Sequence, residues 1–107
     1  MCPWSNSPFG GGEPMSQQVI CSAIAAKHVL SFRYKNIVRT VEPHLLGSDS
    51  DGDLTLSAWQ LSGTGQGWRD FHVSKLSGLT TTERTFSGPR AGYNRWDETI
   101  DRVVCRL

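Results

Sequence analysis

A chain of 107 residues holds at most one domain, with room for a modest core. Its 37% hydrophobic and 20% charged residues are ordinary for a globular protein, and no apolar run approaches the roughly 18 residues of a membrane span. The formal net charge of +1 argues against a general polyanion binder, yet Lys27, Arg33, Lys35 and Arg39 all fall between Glu13 and Glu42, where no acid occurs.

Residues 1–14 carry Pro3, Pro8, Pro14 and the run Gly10 to Gly12. They read as a flexible lead, which leaves 15–107 as the domain. Ser16 suits a helix N-cap, and Val19, Ile20, Ala23 and Ile24 recur at helical spacing towards Lys27. An extended run, Val29 to Tyr34, then meets a polar break at Lys35 and Asn36. A second run, Ile37 to Glu42, stops at Pro43, because a proline suits a strand end. Alternation puts Leu30, Phe32 and Tyr34 on one face of the first run, and Arg39 beside Ile37 and Val41 on the second. The resulting hairpin is expected to hold Tyr34, Arg39 and His44 close together.

Gly47 to Gly52 read as an acidic turn, Leu54 to Leu61 as a third strand, and Ser62 to Gly67 as a loop with three glycines. Trp68 to Ser74 form a fourth strand and Leu76 to Thr82 a short fifth. After the break at Ser87, Gly88 and Pro89, the spacing of Trp96, Ile100, Val103 and Val104 predicts a C-terminal helix over about 94–104. The fold expected is mainly β: a small five-stranded barrel flanked by an N-terminal and a C-terminal helix.

Cys2, Cys21 and Cys105 are an odd number without metal-ligand spacing. They read as reduced thiols of a cytoplasmic protein, with a structural disulfide as the lesser alternative. The N-terminus lacks a basic region followed by an apolar core, so no secretory signal is expected. His28, His44 and His72 match no zinc spacing, and neither Cys21 nor Ser31 lies in a nucleophile motif, so neither a metal, a cofactor nor enzymatic activity is expected. The stretch from Asp49 to Asp53 has glycine at the fourth position of a calcium loop instead of the sixth, and Gln60 where a glutamate should close it; it reads as a hairpin turn. Gly63, Gly65 and Gly67 precede no helix and read as flexibility, not as a phosphate loop.

Arg39, His44 and Arg69 form the polar group of interest. An arginine on a strand face shared with apolar residues must find a partner or a ligand. One reading is an anion or nucleic-acid site, since guanidinium groups match phosphate oxygens in pairs. The other is internal: Arg39 pairs with Glu42 or Asp70, and Arg69 extends to solvent. Tyr34, Trp59 and Trp68 could stack bases or pack the barrel, and Trp59 is expected to be exposed.

Phe32 and Tyr34, then Arg39, Glu42, Pro43 and Leu45 or Leu46, then Trp68, Arg69, Phe71 and Val73, resemble the WYL domain in order and spacing. The resemblance runs from about Val19 to Phe86. It implies an Sm-like barrel and a non-enzymatic bacterial regulatory module that senses a nucleic acid or nucleotide-like anion through a basic, aromatic-bearing surface. On that surface Tyr34, Arg39, His44 and Arg69 match the family's polar positions, with Ser31 and Arg33 as further matches. The family's name motif departs here: it falls on Leu54, Thr55 and Leu56, so only the leucine survives. No helix-turn-helix pattern accompanies it in these 107 residues, so an accessory role beside a regulator or a nucleic-acid-processing system is implied. The rival function is a protein-interaction or dimerisation module with structural arginines.

Overall fold

The computed structural model describes residues 12–97 and 99–107, with side chains from Ser16 onward. Helix α1 spans Gly12–Ala26, and strands follow as β1 His28–Tyr34, β2 Ile37–Ser48, β3 Leu54–Ser62, β4 Gly67–His72, β5 Ser77–Thr85 and β6 Arg102–Arg106. The mainly β expectation holds. Most of the proposed flexible lead, residues 1–11, lies outside the described residues. Ser16 is not a cap, since the helix begins four positions earlier, at Gly12.

All pairs are antiparallel, in the order β4-β3-β2-β1-β5, with β6 added beside β2. The 3₁₀ turn Val73–Lys75 joins β4 to β5, the two ends of that path. The β1–β2 hairpin is as read: Tyr34 pairs with Ile37 across Lys35 and Asn36. Both turn residues are left-handed, with φ of 53° and 63°, the backbone that a two-residue hairpin turn needs.

Strand β2 does not stop at Pro43 but runs on to Ser48. Two facts make the proline tolerable. The β2–β3 register shifts between Pro43 and Leu45, and on the other edge β1 pairs only as far as Val41 while β6 begins at Leu45. Pro43 thus sits at an irregularity between two partners, where a missing amide proton costs least.

The predicted C-terminal helix is absent; β6 occupies the edge of β2 that β1 leaves open. Leu45 to Ser48 pair with Arg106 to Arg102, and Asp101 donates to the Ser48 carbonyl at 2.7 Å. The preceding segment turns instead of coiling because short polar side chains satisfy its amides locally. Asn94 accepts from the Trp96 N–H at 3.1 Å and Asp97 from the Thr99 N–H at 2.9 Å. Gly47 lets β6 come this close, since a Cβ there would meet the Arg102 carbonyl oxygen at 2.5 Å.

The core joins Ile20, Ala23 and Ile24 of α1 to Leu30, Phe32, Tyr34, Val41, Leu46, Leu56, Ala58 and Phe71 of the sheet. Phe71 lies at its centre, edge-on to Phe32 at 4.9 Å and to Tyr34 at 5.0 Å. A disulfide, Cys21–Cys105, ties α1 to β6 with a Cα–Cα distance of 5.8 Å. This corrects the expectation of free thiols. The two cysteines stand 84 residues apart, and only the docking of β6 brings them together. No described helix is long and apolar enough to cross a membrane.

Candidate functional site

Alternation along β2 turns Arg39 inward with Val41, towards Tyr34 and Phe71. Its guanidinium lies 5.4 Å from the centre of the Tyr34 ring and 5.7 Å from that of Phe71. Arg39 is only 6% exposed. Its bonds go to neutral oxygens: Nη1 donates to Gln60 Oε1 at 3.1 Å and Thr64 Oγ1 at 3.3 Å, and Nη2 to the Tyr34 carbonyl at 3.3 Å. Its Nε–H finds no acceptor among the described residues.

Neither acid of the internal reading reaches it. Glu42, itself buried, takes a two-pronged ion pair from Arg90, at 2.8 Å from Nε and 3.2 Å from Nη2. Arg69 joins Arg39 at the same loop. It donates to the Gly65 carbonyl at 3.3 Å and to the Trp68 carbonyl at 3.0 Å.

Gln60 completes the cluster and was missed in the sequence. The alternation that points Leu56 and Ala58 inward points Gln60 inward too, and an amide ending an apolar strand face was a legible signal. Gln60 is fully buried and donates to Thr64 Oγ1 at 2.9 Å and to the Gly65 carbonyl at 2.7 Å.

His44 does not join Tyr34 and Arg39, contrary to the expected grouping. It is fully buried on the other face of β2, edge-on to Trp68 at 4.8 Å and Tyr93 at 5.1 Å, and stacked on Phe86 at 5.6 Å. Its Nδ1 donates to the Glu42 carbonyl at 2.8 Å, and its Nε2 accepts from the Arg90 amide at 3.0 Å. A carbonyl can only accept and an amide N–H only donate, so the ring must be neutral with its proton on Nδ1. Burial, above all, pushes its pKa below the ordinary 6.5.

A histidine depressed in the folded state binds its proton more readily once unfolded. Its contribution is therefore intact above 6.5 and lost as pH falls from there through the folded value. Melting temperature should drop between pH 7 and 5, and His44→Gln should flatten that part of the profile. A parent whose melting point holds steady over that range would contradict the buried neutral ring.

Ser31 and Arg33 lie elsewhere again, on the outer face of β1. With Phe32, Val38, Ser77 and Gly78 they line a shallow groove of about 380 Å³. The tryptophans turn to the C-terminal segment. Trp68 donates to the Ala91 carbonyl at 3.3 Å, and Trp59, half-buried and not exposed as expected, stands edge-on to Trp68 at 5.6 Å beneath Arg90.

His28 bonds the Thr82 carbonyl at 2.9 Å through Nδ1. Asp49, Asp53 and His72 bring three possible donor atoms within 4.8 Å of one another. One Asp49 oxygen there accepts the amides of Asp51 and Asp53, at 2.9 and 3.0 Å, so it builds the hairpin turn read from the sequence.

No protein-family model matches the chain, and no curated protein matches it. Among solved structures, proteasome accessory factor B/C (PafBC) of Arthrobacter aurescens is similar in fold. The TM-score is 0.63, with 24% identity over 74% of this chain. The match spans 13% of that protein's length.

Proposed function

We propose that this chain, which shares the fold of a stretch of a proteasome accessory factor, is a WYL-type regulatory module. It is non-enzymatic and binds the phosphates of a nucleic acid or a nucleotide-like anion at Arg39, Arg69 and Tyr34. The observation that carries this reading is the state of Arg39. A guanidinium buried against two aromatic rings, bonded only to neutral oxygens, is a charge awaiting an anion. Arg69 beside it supplies a second donor for bidentate phosphate recognition. His44 leaves the proposed contact set, because both its ring nitrogens are engaged and it faces away. Ser31 and Arg33 remain as an outer basic surface along which a longer strand could continue.

Fluorescence anisotropy with short single-stranded RNA and DNA at several salt concentrations tests the reading. Log affinity should fall linearly with log salt, by about 0.7 per phosphate neutralised on a single strand. Affinity that ignores salt, or none at all, removes the polynucleotide reading.

One observation favours the rival, an interaction module. Val103 and Val104 of β6 are each 39% exposed, and Trp96 nearby is 72% exposed. Association that strengthens with protein concentration and is lost in Val103→Lys would support it.

A further inference from the structure

The glycine loop between β3 and β4 is built around the two arginines. A Cβ at Gly63 would lie 3.2 Å from Arg39 Cγ, and one at Gly67 only 2.9 Å from Arg69 Nη1. Gly63, Gly65 and Gly67 have φ of 132°, 107° and 149°, backbone that other residues rarely adopt. Thr64 and Gly65 are exposed, whereas Arg39 and Gln60 beneath them are buried. The loop is therefore what separates the Arg39 guanidinium from solvent.

Gln60 sets the direction of the bonds. Its Oε1 accepts from Arg39, so its Nε2 is left to donate. Arg39 Nη1, Gln60 Nε2 and Arg69 Nη2 then converge as donors on two oxygens, Thr64 Oγ1 and the Gly65 carbonyl.

Resting on the anion reading above, we infer that these two neutral oxygens stand where two ligand oxygens bind. Gln60 is then a ligand-contacting residue, and the 63–66 loop is a plug that the ligand displaces. Three convergent donors, two of them cationic, select a group with two acceptor oxygens and negative charge, the phosphate of a nucleotide or phosphodiester. The loop's threonine and carbonyl imitate the oxygens but not the charge, so an anion can replace them.

The experiment uses the whole chain and a fluorescein-labelled single-stranded oligodeoxynucleotide, with inorganic phosphate as competitor. Thr64→Val removes one plug oxygen without changing side-chain shape. It should raise affinity about three- to tenfold by enlarging the open fraction. Gln60→Leu should weaken affinity about tenfold although no charge is removed. Amide exchange across 63–67 should accelerate when the parent is saturated with probe; this arm needs no variant to fold. Competition by inorganic phosphate at millimolar levels would assign the site to a single phosphate group, and resistance to it would assign it to the polynucleotide chain.

Unchanged affinity in Thr64→Val, or loop exchange unaltered by the probe, overturns the plug while leaving the anion reading in place, provided Arg39→Met still loses binding. Parent-like binding in Gln60→Leu removes Gln60 from the contact set. If the parent and Arg39→Met bind the probe equally, or neither binds it, the anion reading and the plug fall together.

Discussion

Reducing the Cys21–Cys105 disulfide is expected to destabilise the fold by about 4.5 kcal/mol, the chain-entropy value for a loop of this length. The cysteines are separated by 84 residues, so the link closes most of the chain. Small domains have roughly 5–15 kcal/mol in total, and a loss of this size should lower the melting temperature by on the order of 20 °C. The effect should be local first. Strand β6 holds β2 through a four-residue register and the Leu107 N–H bond to the His44 carbonyl, 2.9 Å long. Without the link, α1 and β6 are joined, among the described residues, by packing alone. Thermal melts with and without a dithiol reductant, and of Cys21→Ser, measure it. Coincident curves for oxidised and reduced protein would restore the reading of independent thiols.

Replacing Arg39 should separate binding from folding. Arg39→Met keeps most of the buried volume and removes the charge. Because a buried charge without a carboxylate is costly to hold, stability should stay level or rise. Affinity for a single-stranded oligonucleotide should fall by about 1–3 kcal/mol, as for the loss of charge-assisted hydrogen bonds. Arg69→Ala, at a half-buried position, should lose comparable affinity with little change in stability. Each substitution should also flatten the salt dependence by about one unit of slope. The opposite pattern, an unstable Arg39→Met protein that binds like the parent, would make the arginine structural. The Glu42 pairing that such a role was expected to use belongs to Arg90.

Several features of the site were legible in local pattern. Alternation placed Tyr34 and Arg39 on the same face of a hairpin whose turn residues, Lys35 and Asn36, announced it. It carried no such signal for His44, because the second strand was expected to stop at Pro43, and only its continuation to Ser48 makes strand parity apply there. Residues 39 and 44 differ by an odd number of positions, and an odd offset along a strand changes the face. The same parity marked Gln60 as inward.

What the sequence determined by itself, then, is what depends on near neighbours. The apolar stripe of α1, the β1–β2 hairpin, the inward Arg39 and the turn at Asp49 all follow from side-chain period and turn chemistry within a few residues. The tertiary structure alone decided the rest. Arg102 to Arg106 became a strand because β1 leaves half of the β2 edge unpaired, a partner no local window contains. That docking then joined Cys105 to Cys21 across 84 residues. Glu42 found Arg90 rather than Arg39 because the face of β2 that carries it is covered by the segment leading to β6. Periodicity reports the shape a segment prefers when alone, whereas an open strand edge or a buried charge is satisfied by whatever the folded chain brings within reach.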